Sequence, residues 1–222
     1  MMRVSAVIPA LEEEAEIGAA VTAARAAGAD EVIVADGGST DATLARARSA
    51  GADCVLLAPR GRGLQLRSGA ATATGEALWF LHADARAPAG AADAIRSTLT
   101  AGAAWGAFRV RHAAEGWAIR VADRRSRRTS LPYGDQGVFC TRAAYDAVGG
   151  MPAQELMEDL EFARHMRQLF GSPARLPPEL TVSARRFDAR PVRTALCWWT
   201  LPALYRLGVS PARLARWYGA GR

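Results

Sequence analysis

Two short apolar runs decide the fold: Val4-Ser5-Ala6-Val7-Ile8 and Glu31-Val32-Ile33-Val34-Ala35. The residues between them have helical spacing and end at Gly28. Two more apolar runs, over residues 54–58 and 77–82, follow with further helical stretches at 41–50, 63–74 and 90–99. Short apolar strands that alternate with helices indicate a parallel sheet covered on both faces. We therefore predict an α/β fold with a mostly parallel sheet flanked by helices.

The pattern becomes mixed beyond Gly102. It predicts strands over residues 105–111, 137–141 and 181–187, and helices over 115–128 and 155–170. The last residues form two apolar, aromatic segments that carry several arginines. We predict one domain over residues 1–190, followed by a C-terminal helical appendage over residues 191–222.

The composition is that of a soluble globular protein, since 50% of the 222 residues are hydrophobic and 23% are charged. No uncharged apolar run reaches the roughly 18 residues of a membrane-spanning helix. The first residues are too short and too strand-like for a signal peptide. Three widely spaced cysteines fit a reducing compartment. These features predict a cytoplasmic protein and leave its oligomeric state open.

The net charge of +6 comes from 28 basic residues, all of which are arginine. The complete absence of lysine indicates a compositional bias, so overall basicity is weak evidence for nucleic acid, and we predict no nucleic-acid partner. The densest cluster, from Arg120 to Arg128, fits either a solvated face or a site for phosphates or anionic lipid.

Four loops carry polar residues at the edge where right-handed crossovers place the carboxyl ends of parallel strands. Asp36 lies beside two glycines, so its carboxylate is open to a ribose or a base N–H. Asp84 follows the fourth strand and suits Mg²⁺, which takes one or two carboxylates together with phosphate oxygens. Three arginines surround the glycines of the third loop and suit a diphosphate: Arg60, Arg62 and Arg67.

Two nucleotide-binding classes are excluded. The loop after the first strand lacks the glycines of a dinucleotide-binding fingerprint, and a chain without lysine has no phosphate-binding loop of the ATPase type.

In the second half, Glu155, Glu158 and Asp159 fall near one another at helical spacing. Clustered carboxylates raise one another's pKa, which suits a general base; the alternative is an acidic helix start.

These motifs, in their order and spacing, resemble the family 2 glycosyltransferases. They are Val-Ile-Pro-Ala-Leu-Glu-Glu-Glu (7–14), Val-Ala-Asp-Gly-Gly-Ser-Thr-Asp (34–41), Arg-Gly-Arg-Gly (60–63), Leu-His-Ala-Asp (81–84), Gly-Asp-Gln-Gly (134–137) and Met-Glu-Asp-Leu-Glu (157–161). The chain looks like a small bacterial single-domain member. The resemblance implies the Rossmann-like GT-A fold, a UDP- or GDP-linked sugar donor and a divalent ion, Mn²⁺ or Mg²⁺.

The resemblance also implies roles for individual residues. Asp159 takes the position of the catalytic base, beside Glu158, and Asp84 and His82 take the metal positions, with His82 replacing the usual first acid. An acceptor-side wall is implied for Gly134, Asp135 and Gln136. The nucleotide would contact Pro9, Ala10, Glu12, Asp36, Gly38, Arg62, Arg67 and Ala83. A basic diphosphate motif falls near Arg185 and Arg186.

Three hypotheses follow. The first is an inverting glycosyltransferase that acts on an unknown hydroxyl acceptor. The second is a nucleotidyltransferase on a related α/β scaffold, which would release pyrophosphate. The third is a basic, non-enzymatic module that binds membrane or nucleic acid. Residues 195–208 are apolar and aromatic, so they fit packing on the domain, a dimer contact or a membrane interface, where a lipid-linked acceptor would lie.

Overall fold

Four parallel strands form one half of an eight-stranded sheet in the computed structural model, which describes residues 1–113, 117–127, 129, 131–183 and 191–218. They are β1 (Val4–Ala10), β2 (Glu31–Asp36), β3 (Cys54–Leu57) and β4 (Ala77–Phe80), in the order β3-β2-β1-β4. Helices connect them: α1 (Ile17–Ala26), α2 (Thr43–Ser49) and α3 (Arg62–Thr72). Every residue of β1 is buried, because the strand has neighbours on both sides and helices over both faces.

The other half of the sheet is mixed. Its strands are β5 (Ala85–Arg86), β6 (Trp105–His112), β7 (Phe139–Thr141) and β8 (Ala174–Val182). Strand β7 runs antiparallel to both β4 and β6, whereas β8 runs parallel to β6 and antiparallel to β5. The helices of this half are α4 (Ala91–Thr100), α5 (Trp117–Ser126), α6 (Arg142–Ala147) and α7 (Glu158–Phe170). The predicted α/β architecture is confirmed, and β5 and α6 are additions that the sequence pattern did not indicate.

Both faces of the sheet are covered, as predicted. Ile8 and Trp79 belong to a core on the side of α1 and α4. Val7 and Phe80 belong to a second core, which includes Phe162 of α7. Adjacent residues of a strand point to opposite faces, so an uninterrupted apolar strand supplies both cores at once.

A strand was predicted over residues 181–187, and Thr181 and Val182 do lie in one, but it begins earlier, at Ala174, so the predicted start was wrong. Pro177 and Pro178 lie inside β8, where its register with β6 jumps from the pair Phe108–Leu176 to the pair Arg109–Glu179. Proline cannot donate a ladder hydrogen bond, and a bulge accommodates it within a sheet. The two prolines are therefore the reason why the sequence pattern did not indicate a strand before residue 181. Residues 184–187 of the predicted strand lie outside the described residues.

The C-terminal segment is helical. Helices α8 (Pro191–Arg206) and α9 (Pro211–Tyr218) bury Leu201 and Leu214 against Met157 and Leu160 at the start of α7. The tail therefore packs on the rest of the chain on at least one face. The predicted boundary at residue 190 lies outside the described residues, and the division into two units stays a prediction. Among the helices described, none has the length and apolar character needed to cross a bilayer.

Candidate active site

The loops that follow β1 and β2 are tied together by Glu12. Its Oε1 accepts hydrogen bonds from the backbone N–H (2.8 Å) and the hydroxyl (3.1 Å) of Thr40, and its own N–H donates to Ser39 Oγ (2.9 Å). Glu12 has a φ of +53°, a left-handed conformation that is unfavourable for a residue with a side chain. Its hydrogen bonds to the second loop hold it there, which is typical of strained residues at ligand sites.

Asp36, at the end of β2, is fully buried and organises its own loop. Its carboxylate accepts hydrogen bonds from Gly38 N (2.9 Å), Ser39 N (2.8 Å) and Ser39 Oγ (2.5 Å). Gly38 adopts a φ of +93°, which glycine tolerates and which turns its N–H back to the carboxylate. These hydrogen bonds and its complete burial engage the carboxylate with its own loop, whereas the sequence analysis expected it to be open to a ligand.

Gln65 is a positioning residue that the sequence analysis missed. Its buried Nε2 donates to the carbonyl oxygens of Ala10 (2.6 Å) and Ala35 (3.0 Å), which end β1 and β2. Gly69 lies one turn further on α3, and a Cβ there would come within 2.4 Å of Val7 Cγ1. Gln65 and Gly69 lie on the face of α3 that approaches the sheet. A polar residue one turn before a glycine was therefore the sequence signal that could have identified Gln65.

An acidic pair begins α7 and meets the start of α3. Glu158 is fully buried and forms an ion pair with Arg62. The two helices approach closely at Gly63, where a Cβ would lie 2.2 Å from the Pro152 carbonyl oxygen and 3.2 Å from Glu158 Cβ. Met157, directly before the pair, is held at a φ of +64°. Glycine at position 63 thus lets the third predicted loop reach the predicted catalytic pair.

The charges of this cluster act on one another. Burial is the largest influence on Glu158 and raises its pKa; Arg62 opposes this effect and the neighbouring Asp159 adds to it. Burial alone would lower the pKa of Arg62, but the two carboxylates reverse this and raise it. Arg62 Nη2 lies 3.7 Å from Asp159 Oδ2. Arg62 is therefore a permanent cation held between two acids, with 32% of its side chain exposed.

Asp159 meets His82 and Gly134 at a small cavity. Its Oδ2 accepts a hydrogen bond from Gly134 N (2.8 Å) and its Oδ1 accepts one from Leu160 N (2.7 Å). A Cβ on Gly134 would lie 2.7 Å from His82 Nε2 and 3.2 Å from Asp159 Oδ2, so a larger residue would require one of these side chains to move. Glu158 also lines the cavity, together with five apolar side chains: Leu66, Phe80, Val138, Met151 and Phe162.

The segment that follows β4 carries His82, the buried Ala83 and the partly exposed Asp84. Arg86 braces it, since its Nη1 donates to the carbonyl oxygens of Ala83 and Ala85 (3.1 Å each) and its Nη2 pairs with Glu16. Across the described ranges, no group of three or more His, Cys, Asp or Glu side chains is placed to hold a metal ion. One carboxylate and one imidazole on a single loop fit an ion that takes its remaining ligands from substrate phosphates and water.

The other predicted site residues are distributed around this edge. Pro9 and Ala10 pair with Ala35 and Asp36 at the ends of β1 and β2. Arg67 is exposed on α3, where its charge opposes the rise that burial causes in the pKa of Tyr145.

The predicted acceptor-side trio forms a single 3₁₀ turn, Gly134–Gln136. The buried Gln136 side chain turns inward, where its Nε2 donates to the Ser126 carbonyl oxygen (2.8 Å). Gly134 is the member of the trio that lines the cavity.

Basic residues predicted as phosphate or lipid contacts are placed only in part. In the cluster from Arg120 to Arg128, Arg120 and Arg124 are exposed, and Arg127 pairs with Glu179 (2.8 Å). Arg128, Arg185 and Arg186 lie outside the described residues.

Solved structures of other proteins share the fold described above. A glucosyl-3-phosphoglycerate synthase from Mycobacterium tuberculosis, solved with Mn²⁺ and uridine-diphosphate-glucose, has a TM-score of 0.62 and 20% identity; the match covers 82% of this chain and 70% of that one. A mannosyltransferase from Pyrobaculum calidifontis, solved with GDP-Man and Mn²⁺, has a TM-score of 0.70 and 19% identity, covering 99% of this chain and 68% of its own.

A further mycobacterial protein matches with a TM-score of 0.60 and 22% identity, over 82% of this chain and 65% of its own. The chain therefore spans about two thirds of the length of these structures. Among curated proteins, none matches the sequence.

The model of glycosyl transferase family 2 matches residues 5–151, which include the loops after β1, β2, β3 and β4 and stop before Glu158 and Asp159. This match covers more than half of the 222 residues. Between the two enzymatic hypotheses, the family match favours sugar transfer. The two transferase structures share the fold of this chain. The chain belongs to glycosyl transferase family 2.

Proposed function

We propose that this protein transfers a sugar from a nucleoside diphosphate sugar to a hydroxyl acceptor, with inversion at the anomeric carbon. The carrying observation is the meeting of Asp159, Gly134 and His82 at one cavity, directly beside the Arg62 guanidinium. Family membership supports sugar transfer. The structures solved with uridine-diphosphate-glucose and with GDP-Man support a UDP- or GDP-linked donor.

Asp159 is the proposed general base. Its carboxylate takes the proton of the acceptor hydroxyl while that oxygen attacks the anomeric carbon from the side opposite the diphosphate. The new carbon–oxygen bond forms as the bond to the phosphate oxygen breaks, and the electron pair leaves on the diphosphate. The Gly134 N–H orients the carboxylate through its 2.8 Å hydrogen bond. A positioned base of this kind contributes about 10²–10⁴-fold to the rate.

Arg62 is proposed to bind the departing diphosphate. Its Nε is engaged by Glu158, while its terminal nitrogens stay on the side of Asp159, and a guanidinium presents its donors in a rigid fork suited to phosphate oxygens. Glu158 was predicted as a catalytic residue beside Asp159. Because it is fully buried against Arg62, we assign it a positioning role: it orients the cation and does not touch the substrate.

Asp84 and His82 would hold a divalent ion together with the donor diphosphate. Such an ion, Mn²⁺ or Mg²⁺, stabilises negative charge on phosphate oxygens when bound. The comparison structures with Mn²⁺ support this assignment. The role of the chain is to present one carboxylate and one imidazole on the segment braced by Arg86, next to the cavity that His82 lines.

The test is calorimetric titration with UDP- and GDP-sugars, with and without Mn²⁺. We expect one nucleotide to bind in a metal-dependent manner, and Asp84→Ala to remove that binding. Asp146→Ala, which changes an exposed aspartate on α6, is the matched control and should bind like the unmodified protein. No binding of any nucleotide sugar, or release of pyrophosphate from a nucleoside triphosphate, would overturn the proposal.

A further inference from the structure

Helices α8 and α9 have two different faces. One face is buried: Leu201 and Leu214 pack against Met157 and Leu160. The other face exposes large apolar side chains, since Leu196 is 61% exposed, Leu207 80% and Trp217 56%. Packing on the domain, one of the three hypotheses for this segment, therefore explains the buried face and leaves the exposed face unexplained.

The exposed residues lie on both helices and combine apolar with basic side chains. Leu207 directly follows α8, and a continued helical rotation would place it within about 20° of Leu196, because eleven residues complete about three turns. Arg206 is exposed at the end of that helix, and Arg213 and Arg216 are exposed beside Trp217 on α9. We call these six residues the tail patch: Leu196, Arg206, Leu207, Arg213, Arg216 and Trp217.

The charge of this segment is of one sign. Residues 191–222 contain five arginines and no aspartate or glutamate. Two copies joined through the tail patch would bring these like charges together, which disfavours self-association through this face. Aliphatic and tryptophan side chains surrounded by arginines suit the headgroup region of an anionic bilayer, where the apolar groups enter and the guanidinium groups stay with the phosphates.

We propose that the tail patch docks on an anionic lipid surface. No described helix can cross a bilayer, so the contact is peripheral. The buried face of the same helices touches Met157 and Leu160, which flank the Glu158–Asp159 pair. A helix with its side chains is about 10–12 Å thick, so Asp159 would lie about one helix diameter behind the lipid surface. This placement assigns a lipid-linked acceptor to the site; that assignment rests on the proposed function, whereas the docking does not.

The experiment is co-sedimentation of the full chain with vesicles of phosphatidylcholine alone and of phosphatidylcholine mixed with phosphatidylglycerol. We expect binding to the mixed vesicles only, and weaker binding at high salt. Leu207→Glu and Trp217→Glu should each abolish it. Arg213→Gln and Arg216→Gln should each reduce partitioning about fivefold, the loss expected for one basic residue at an anionic surface.

The control variants carry the same types of substitution at exposed positions outside the tail patch. Leu57→Glu alters a residue that is 72% exposed on the edge strand β3, and Arg46→Gln alters an exposed arginine on α2; both should leave vesicle binding unchanged. Calorimetric nucleotide binding by Leu207→Glu should match the unmodified protein, which separates failure of docking from failure of the proposed function.

Three outcomes would overturn the proposal: equal binding to neutral vesicles, a dimer that Leu207→Glu dissociates in light scattering, or RNA binding that the same variants abolish while vesicles are ignored.

Discussion

The Arg62 guanidinium at the start of α3 is ion-paired with the buried Glu158 carboxylate at the start of α7, 96 residues later in the chain. The pair joins a loop inside the region of the family match to an acidic motif beyond its end at residue 151. It also brings a permanent cation within 3.7 Å of Asp159. Four changes test what this arrangement does.

Asp159→Asn should reduce turnover by about 10²–10⁴-fold, the contribution of a general base. Asparagine keeps an oxygen that can accept the Gly134 hydrogen bond, so donor binding should be nearly unchanged. Steady-state kinetics and nucleotide titration measure the two effects. Glu155→Gln alters an exposed acid in the same segment and should keep full activity. A variant that turned over normally but bound donor poorly would remove Asp159 from the base role.

Arg62→Gln should destabilise the protein in a pH-dependent way. Burial raises the pKa of Glu158 above its ordinary value of 4.5, and removing Arg62 takes away the influence that opposes this rise. A carboxyl whose pKa is raised by folding contributes stability below its unfolded pKa and loses it as pH rises through the folded pKa. The deficit of the variant should therefore be small in acid and grow towards neutral pH.

Urea unfolding at a series of pH values measures this deficit. Arg164→Gln is the control, because Arg164 forms an exposed pair with Glu161 (2.6 Å) that contributes about 0–1 kcal/mol. The hydrogen bond from Arg164 lowers the pKa of Glu161 below its ordinary value of 4.5. That pair therefore stabilises the folded protein at pH values above 4.5, and its contribution is lost in acid. An Arg62→Gln deficit that is equal at every pH would contradict the assigned coupling.

Gly134→Ala should reduce turnover about 10²-fold, the scale of a misplacement of about 1 Å in a catalytic group. The new Cβ would lie 2.7 Å from His82 Nε2 and 3.2 Å from Asp159 Oδ2, so one of these side chains must move. Gly18→Ala is the matched control: its Cβ meets nothing closer than 3.9 Å inside α1, and the change should stabilise the helix by about 0.5–1 kcal/mol. Kinetics and thermal unfolding of both variants decide the point, and full activity of Gly134→Ala would show that the cavity is wider than the structure indicates.

Leu214→Ala should cost about 2–5 kcal/mol of unfolding free energy, because it empties a fully buried position. Leu214 packs in the cluster that contains Met157, whose φ of +64° precedes Glu158, so turnover should fall as well. Leu207→Ala, at 80% exposure, should stay within about 0.5 kcal/mol. If Leu214→Ala lost stability but kept its turnover at a temperature where it is folded, the tail would have no part in positioning the acidic pair.

The strands β1 to β4 and their helices could be predicted because apolar periodicity and terminal glycines are local signals. The same signals failed at β8, where Pro177 and Pro178 are accommodated by a register shift against β6. Such a shift depends on the neighbouring strand, which lies far away in sequence. The site roles of Asp36, Asp84 and Asp159 stay predictions, and the structure adds that Asp159 lines a cavity together with His82 and Gly134.

The sequence by itself determined the α/β architecture, the family and the edge of the sheet that carries the loops, since each follows from short patterns of residue type. Only the tertiary structure decided that Arg62 pairs with Glu158, that Gln65 joins the ends of β1 and β2, and that the tail has one buried face and one exposed face. The physical reason is that burial and pairing depend on which distant segments meet. A charge such as Glu158 is acceptable in the interior only because folding brings its counter-ion to it.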